Sequence, residues 1–492
     1  MVATTPASSF LATKRGKLIL ALLCAIGFLD FVDASIVNVA LPDIRQDLHF
    51  SVQNLQWVLS GYLLTYGGLM LLGGRLADLL GRRRVLIAGT SVFAASSFVG
   101  GLAQNAGTLV GARLVQGVGA ALMLPAALSL LTTYFKEGKD RHTALGAWGG
   151  VAGLASAAGV FLGGLLTQGP GWRWVLFVNP PIAVLLIVAI VAMIPAEPRA
   201  GRLANFDLSG SVLVTSGMLL LVFGLVRAPI QGWGSGRTVG ELAGAGVLLA
   251  LFLLREKTGR NPLMPLSTFR IRGLAAANLT LLIAAAGLIA MFFFVTLYVQ
   301  VVLGYSPIKA GASYLPFTAG VAVSAGICSQ LLPRIGTRPL IVVGALFGAG
   351  GLYLLSRVPV DGAYLPDLLP AEMIISVGLG ALFVSVTTAA NAGVPADKAG
   401  LAAALMNSAQ QVGGALGLAI FSAIATSRTN HLLGLHDTPA HAMTAGIHRA
   451  LFAESIFLLA TAALAVRTVN SRGETEELVV TATPTLEPVG RA

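Results

Sequence analysis

Long apolar stretches alternate with short polar loops along almost the whole chain of 492 residues. A helix that crosses a bilayer needs about 20 apolar residues, and fourteen stretches approach or exceed that length. The predicted spans are 18–41, 54–76, 85–104, 108–132, 143–167, 175–195, 208–227, 239–255, 273–302, 307–331, 339–357, 368–391, 399–426 and 449–467. This pattern predicts an all-α polytopic membrane protein with fourteen transmembrane helices.

The composition excludes a water-soluble or disordered chain. Hydrophobic residues make up 55% of the sequence and charged residues only 11%, whereas soluble domains carry about 25% charged residues and disordered chains have low hydrophobicity. The net charge of +11 does not indicate nucleic acid, because the basic residues form short clusters between apolar stretches. We expect a multi-pass protein of a bacterial plasma membrane that contacts lipid.

Lys and Arg are distributed unequally over the two sides of these spans. With the N-terminus placed in the cytoplasm, 22 of the 32 basic residues fall in cytoplasmic segments and 8 in outer loops. Basic loops of membrane proteins face the cytoplasm. We therefore expect both termini to be cytoplasmic, while the two remaining basic residues, Arg75 and Arg113, fall within spans.

A short segment rich in Gly and Arg recurs at corresponding positions in the two halves of the chain. Residues 74–84 follow the second span, and the related residues 329–339 follow the tenth. A repeated six-helix unit with two inserted helices explains this spacing, and such repeats are typical of transporters that alternate between two bundles. The predicted divisions are a cytoplasmic tail 1–17, a six-helix bundle 18–198, a linker with two extra helices 199–272, a second six-helix bundle 273–467 and a disordered tail 468–492.

Three charged residues lie deep within predicted spans. Asp30 and Asp33 are three residues apart on the first span, so they share a helix face, and Arg113 lies on the fourth. Charges inside a membrane are costly and usually functional. Two close carboxyls in a low dielectric are expected to titrate as a coupled pair. These residues are therefore the candidates for proton coupling, with Arg113 as the partner of Asp33 or Asp30.

Four motifs carry a family resemblance over about residues 18–467. GRLADLLGRRR at 74–84 resembles the signature loop of the major facilitator superfamily, and LVGARLVQGVGAA at 109–121 resembles its fourth-helix motif. VDASIVNVALP at 32–42, and WRW at 172–174 with Asn179 after it, are similar to segments of the fourteen-span drug:proton antiporters of the EmrB/QacA type. The chain is therefore identified as a member of that family.

The resemblance implies a fold, a function and two further groups of residues. The implied fold is two six-helix bundles plus two inserted helices, and the implied function is proton-coupled efflux of drugs or antibiotics by alternating access. A loop that latches the bundles would contain Gly74, Asp78, Gly81, Arg82 and Arg83. The fifth-helix motif would contain Gly159, Gly163 and Gly164, with Val160 where the family usually has proline.

Aromatic and amide residues within the spans are candidates for lining a substrate cavity. Mostly apolar pockets with a few polar groups suit hydrophobic or amphiphilic compounds. The candidates are Phe28, Asn38, Trp57, Tyr62, Gln116, Trp148, Phe293, Tyr298, Gln300, Tyr314, Asn391, Asn407, Gln410 and Gln411.

No sequence motif indicates an enzyme, a cofactor or a metal. The phosphate-binding pattern GxxxxGK[ST] is missing from the sequence, so we expect energy to come from a proton gradient. Cys24 and Cys328 lie in opposite halves, which favours neither a disulfide nor a metal site. Three alternatives stay open: a dedicated exporter of one metabolite or self-made antibiotic, a proton symporter, and a transporter-derived sensor or assembly protein that moves nothing. The sequence does not reveal whether a periplasmic adaptor exists.

Overall fold

The computed structural model describes residues 10–135, 139–196, 207–259, 273–392 and 399–472, with the single positions 262, 271 and 394. Within these residues the chain is helical and has no strand. The helices are α1 (Lys14–Asp47), α2 (Val52–Leu55), α3 (Trp57–Leu80), α4 (Arg82–Gly101), α5 (Ala106–Tyr134), α6 (Lys139–Gln168), α7 (Trp174–Phe177), α8 (Asn179–Met193), α9 (Leu208–Gln231), α10 (Gly236–Thr258), α11 (Leu274–Leu297), α12 (Pro307–Ile335), α13 (Thr337–Leu355), α14 (Leu369–Asn391), α15 (Ala399–Gly434) and α16 (Pro439–Ala465).

Fourteen helical stretches of the described chain are long and apolar enough to cross a membrane. This number confirms the fourteen spans predicted from the sequence. The short α2 and α7 lie at the starts of the second and sixth stretches. α11 continues through a wide π-helical turn at Tyr298–Val302, and a second such turn, Tyr364–Leu368, leads into α14.

Twelve of the long helices pack in two groups of six. α1, α3, α4, α5, α6 and α8 contact one another in the first group, and α11 to α16 form the second. α9 and α10 pair as a hairpin at the side, where α9 touches α3 and α15. The groups meet along two main helix pairs, α6 with α12 and α3 with α15.

Glycines make the tight turns at corresponding positions of the two groups. Gly81 separates α3 from α4 with a φ of +97°, and Gly336 separates α12 from α13 with a φ of +83°. Residues with a Cβ rarely adopt these angles, so glycine permits the chain to reverse within one residue. Each turn falls in one of the two related Gly-Arg segments.

The last two helices extend further than the hydrophobic pattern predicts. We expected an outer loop over residues 427–448, but α15 continues to Gly434 and α16 begins at Pro439. The Thr438 hydroxyl accepts a hydrogen bond from the backbone nitrogen of His441 and caps α16. The boundary prediction was wrong because apolar length limits only the part of a helix that lies in lipid, and polar residues can continue it beyond.

The predicted tails fall largely outside the described residues. Residues 1–9 and 473–492 are not described, and neither are 197–206 and most of 260–272, which lie almost entirely in the predicted linker. The predicted C-terminal tail begins at 468, and its first residues lie against the start of α13. The Thr337 hydroxyl donates to the Val469 carbonyl at 2.8 Å, and the Arg338 guanidinium donates to the Thr468 carbonyl at 2.8 Å.

Candidate functional site

An ion pair between α1 and α5 forms the centre of the first helix group. Arg113 Nη1 donates to Asp33 Oδ2 at 2.7 Å, and both side chains are at most 1% exposed. Arg113 Nε also donates to the Val58 carbonyl of α3 at 3.0 Å. Its second terminal nitrogen, Nη2, has no hydrogen-bond partner among the described residues. A buried pair of this kind is retained at a large desolvation cost, which points to a functional role.

Amides and a hydroxyl from other helices surround the Asp33 carboxylate. Gln116 Nε2 donates to Asp33 Oδ1 at 2.8 Å, and Asn179 Nδ2 donates to the same oxygen at 2.6 Å. Both amides also donate to the Ser97 hydroxyl, at 3.3 Å and 2.9 Å. The Gln116 oxygen accepts from Arg113 at 2.7 Å. The network thus joins α1, α4, α5 and α8, and a change in the charge of Asp33 would disturb all four helices.

Asp30 lies in a separate environment made of two tyrosine hydroxyls from α3. Tyr62 donates to Asp30 Oδ1 at 2.8 Å and Tyr66 donates to Oδ2 at 3.1 Å. The Tyr62 ring also lies under the Arg113 guanidinium, 4.3 Å from the ring centroid. Tyr62 therefore contacts both charged centres, and Asp30 itself is 1% exposed.

The Asp30 environment reaches the boundary between the two helix groups. Tyr66 interacts with the Gln411 side chain of α15. A Cβ at the neighbouring Gly67 would lie 2.8 Å from the Gln411 Cβ, so α3 and α15 approach closely at this level. Tyr66 thus contacts both Asp30 in the first helix group and Gln411 in the second.

The predicted cavity residues divide into several environments. Half-buried positions that can face a cavity between the groups are Phe28, Asn38, Trp148, Asn407, Gln410 and Gln411. Fully buried positions are Tyr62, Gln116, Phe293, Tyr298 and Tyr314. Tyr62 and Gln116 belong to the hydrogen-bond network of Asp30, Asp33 and Arg113. The Tyr314 and Thr296 hydroxyls are 3.0 Å apart within the second group.

Three other cavity candidates lie elsewhere. The Trp57 ring packs against Phe223 of α9, with centroids 6.4 Å apart. Gln300 donates to the Val39 carbonyl at 2.8 Å and so links the two groups at the outer end of α1. Asn391 donates to the Thr387 carbonyl of its own helix and is exposed.

The two helix groups touch at one end of the molecule and separate at the other. A Cβ at Gly164 of α6 would lie 2.5 Å from the Pro307 carbonyl of α12, and one at Gly311 would lie 2.6 Å from the Val160 carbonyl. At the opposite ends of these helices, a Cβ at Gly146 or Gly326 would meet no atom within 4 Å. The cleft between the groups is therefore open at the end predicted to be cytoplasmic.

The other two glycines of the fifth-helix motif pack against α1. A Cβ at Gly159 would lie 2.0 Å from the Ser35 hydroxyl oxygen, and one at Gly163 would lie 2.6 Å from the Ile36 carbonyl. Any larger side chain at these positions would push α6 away from α1, the helix that carries both aspartates.

The side chains of the predicted latch contact helices of their own group. Arg82 Nη1 donates to the Thr133 hydroxyl of α5 at 2.6 Å, and Arg83 Nη2 donates to the Val191 carbonyl of α8 at 3.0 Å. Asp78 lies 3.9 Å from Arg82 in an exposed pair. Gly74 would place a Cβ 3.7 Å from Pro125 of α5. A latch between the groups remains a prediction, since these contacts run within the first group in this open state.

Three residues of the network were not among the sequence candidates. Asn179 follows the WRW motif at 172–174, and its position as a polar residue of the sixth span was the signal that could have identified it as a partner of Asp33. Tyr66 lies one helical turn after Tyr62, which gives a weak signal. Ser97 gave none, because serines occur on all faces of α4.

The described residues contain fourteen membrane-length helices. Twelve of them pack in two groups, and the first group holds a buried ion pair; together these features define a polytopic helical membrane protein. A family model described as Major Facilitator Superfamily matches residues 23–418. The chain belongs to this family, as the sequence motifs indicated. Its helices and its bacterial relatives also confirm the predicted class of multi-pass protein in a bacterial plasma membrane.

The relatives include named resistance and export proteins. The chain is 40% identical over 465 residues to the puromycin resistance protein pur8 of Streptomyces alboniger, covering 92% of each chain. It is 39% identical over 422 residues to the cephamycin export protein CmcT of Amycolatopsis lactamdurans, covering 85% of this chain and 87% of the relative.

Solved structures share the fold at low sequence identity. A bacterial homolog of the human lysosomal transporter Spinster, in an inward-facing and unoccupied conformation, matches with a TM-score of 0.66 at 17% identity, covering 92% of this chain and 97% of that chain. A D-xylose–proton symporter matches with a TM-score of 0.65 at 14% identity, covering 93% and 99%. These likenesses establish the fold of a family of transporters.

Proposed function

We propose that this protein exports small amphiphilic or hydrophobic compounds, such as drugs or antibiotics, in exchange for protons. The two six-helix units, predicted at 18–198 and 273–467, alternate in opening to the two sides of the membrane. The protein is a transporter that carries out no covalent chemistry and needs no cofactor beyond the proton gradient. Its partners are a small-molecule substrate, protons and membrane lipid.

The buried pair of Asp33 and Arg113 is the observation that carries the proposal. When Asp33 is ionised, the pair is neutral as a whole and its donors are satisfied by the carboxylate. A proton on Asp33 would leave Arg113 as an uncompensated buried cation, which is strongly unfavourable. Protonation therefore favours a rearrangement of the four helices that meet at the pair, and this is how a proton can drive a change of conformation.

Asp30 is proposed to couple its protonation to a structural change in the second helix group. Its two tyrosine donors lie on α3, and Tyr66 interacts with Gln411 of α15. The half-buried Asn407, Gln410 and Gln411 on α15 can contact a substrate in the cleft. A shift of Tyr66 on protonation of Asp30 would thus reach the substrate-facing surface directly.

Transport driven by a pH gradient in proteoliposomes tests this proposal. We expect Asp33→Asn to abolish gradient-driven accumulation of a fluorescent cationic dye while exchange without a gradient persists. Asp43→Asn is the matched control, because it makes the same change on the same helix outside the network, and it should transport normally. Normal gradient-driven accumulation by Asp33→Asn would contradict the assignment.

A dedicated exporter of one antibiotic is the second candidate. It is favoured by the names of several relatives, each of which mentions a single compound, including tetracenomycin C and lincomycin. A panel of chemically diverse dyes and antibiotics distinguishes the two. A polyspecific exporter would move several classes, whereas a dedicated one would move a single class with the same dependence on Asp33.

A further inference from the structure

A cleft of about 450 Å³ lies where the ends of α15 and α16 meet the turn between α9 and α10. It lies at the end of the molecule predicted to face outward. None of its lining residues belongs to the network around Asp33 and Arg113. Arg428 and His431 of α15, Arg449 of α16, Ser427 and Trp233 line it. Two arginines, a histidine, a serine and a tryptophan therefore line one opening.

The two arginines of this cleft have no anionic partner in the described part of the chain. Neither Arg428 nor Arg449 forms an ion pair within 4.0 Å there. The charge of Arg428 acts on the Asp437 carboxylate, but the two do not form an ion pair. Asp437 is paired instead with the His441 ring, 2.6 Å away. The hydrogen bond from His441 keeps the pKa of Asp437 below its usual value. Two arginines that line one cleft without an ion-paired carboxylate favour a bound anion, above all a phosphate.

An exposed apolar stripe continues from the cleft along α16. Phe452, Ile456 and Leu459 are 47% to 49% exposed, and their spacing from Arg449 places all four on one face of the helix. Ala423 and Ile424 form an apolar part of the cleft lining. The half-exposed Trp233 is of the residue type that collects at membrane interfaces. A cationic head site above an apolar stripe matches an amphiphile with an anionic head and hydrocarbon chains.

We propose that this cleft binds the phosphate headgroup of an anionic phospholipid. Arg428 and Arg449 hold the phosphate, Ser427 donates a further hydrogen bond, and the acyl chains lie along the stripe of Phe452, Ile456 and Leu459. The lipid would join α16 to the α9–α10 hairpin, whose main contact with the second helix group is that of α9 with α15. This role is independent of the proton-coupling site.

Native mass spectrometry of the full-length protein in detergent, titrated with phosphatidylglycerol or phosphatidylcholine, tests the proposal. We expect phosphatidylglycerol to bind more tightly, and Arg428→Gln and Arg449→Gln each to weaken its binding about fivefold, in line with about 1 kcal/mol per basic residue near a lipid surface. Arg237→Gln is the matched control. It removes an arginine from the same end of the molecule, where Arg237 pairs with Glu241, and should leave binding unchanged.

Two further measurements separate the lipid from a free anion and from misfolding. Glycerol 3-phosphate has the head but no chains, and we expect it to displace phosphatidylglycerol only at much higher concentration. Phe452→Ala should weaken lipid binding without affecting glycerol 3-phosphate. All variants are compared only where size-exclusion profiles match the parent protein. Equal binding of both lipids, unchanged binding by the arginine variants, or equal affinity for glycerol 3-phosphate would overturn the proposal.

Discussion

At the scale of single residues, Tyr62 connects the two charged centres of the first helix group. Its hydroxyl donates to Asp30 at 2.8 Å, and its ring lies 4.3 Å from the Arg113 guanidinium. The hydroxyl and the ring thus contact different partners. The hydroxyl contact can therefore be removed first alone and then together with the ring contact.

Tyr62→Phe removes the hydroxyl and keeps the ring. The loss of a hydrogen bond to a buried carboxyl should lower the free energy of unfolding by about 1.5–3 kcal/mol and reduce gradient-driven transport. Tyr62→Leu should cost more than Tyr62→Phe, because it also removes the cation–π contact, worth about 0.5–2 kcal/mol, and leaves a cavity at a fully buried position. Thermal unfolding of the purified variants measures both steps. Parent-like stability in both variants would show that these contacts carry no energy.

The sequence identified the charged members of the network, together with Tyr62 and Gln116, but missed Asn179, Tyr66 and Ser97. Asp33 and Arg113 stand out because charge is rare and costly within a span. Asn179 and Ser97 are neutral, and polar residues of this kind occur on many helix faces. Which of them meets Asp33 depends on the rotation of α4 and α8, and helix packing sets that rotation rather than the local sequence.

At the scale of elements, α6 has two halves with different roles. Its outer half packs on α12 through Gly164, whereas Gly146 in its inner half faces open space. Small residues allow helices to approach closely. In a transporter that alternates, the inner half would pack in the state that this structure does not show.

Gly164→Leu and Gly146→Leu should therefore shift the conformational equilibrium in opposite directions. Gly164→Leu collides with the Pro307 backbone, 2.5 Å from the position of a Cβ, and should disfavour the state open at the predicted cytoplasmic end. Gly146→Leu is accommodated in that state and should disfavour the opposite one. Distances between spin labels on the ends of α6 and α12 measure the shift. Unshifted or identical distance distributions in the two variants would contradict this division of α6.

The helices themselves follow closely from the hydrophobic pattern, except where they leave the lipid. All fourteen spans are recognisable in the sequence as long apolar stretches, because the bilayer sets a minimum length for each. The C-terminal end of α15 and the N-terminal end of α16 were missed, because no such requirement applies beyond the lipid. There Thr438 and Pro439 set the start of α16.

At the scale of the whole molecule, the protein is closed at one end by contacts between α6 and α12. The backbone of Ile308 also donates to the Gln168 side chain at 3.3 Å across this boundary. If transport requires alternating access, this closure must open in every cycle. A covalent bond across it would hold the closed end shut.

A disulfide between Gln168→Cys and Ile308→Cys should block transport. The Gln168 side-chain oxygen lies 3.3 Å from the Ile308 backbone nitrogen, so the two positions are neighbours across the closed end, and a disulfide between them would hold that end shut. The native thiols Cys24 and Cys328 are free and buried and would be replaced by alanine. Transport should be lost after oxidation and return after reduction. Each single-cysteine variant is the control, and undiminished transport by the fully oxidised pair would argue against alternating access at this boundary.

The division into two helix groups could be inferred from the repeated Gly-Arg segment, but the open state could not. Both states of a transporter have the same sequence, and contacts such as those of Gly164 and Gly146 belong to different states. Similarly, the residues that face the cleft depend on how the groups are placed. Six of the fourteen proposed cavity residues are therefore at half-buried positions that can face the cleft, whereas Tyr62 and Gln116 belong to the hydrogen-bond network of Asp30, Asp33 and Arg113.

The most direct test of the central claim is to measure proton movement caused by the substrate itself. Proteoliposomes with a pH-sensitive dye inside and no initial pH difference are given an imposed substrate gradient. The account predicts that protons move opposite to the substrate in the parent protein and in Asp43→Asn, and that this movement disappears in Asp33→Asn. Substrate flux without proton movement in the parent protein, protons moving in the same direction as the substrate, or unchanged proton movement in Asp33→Asn would contradict it.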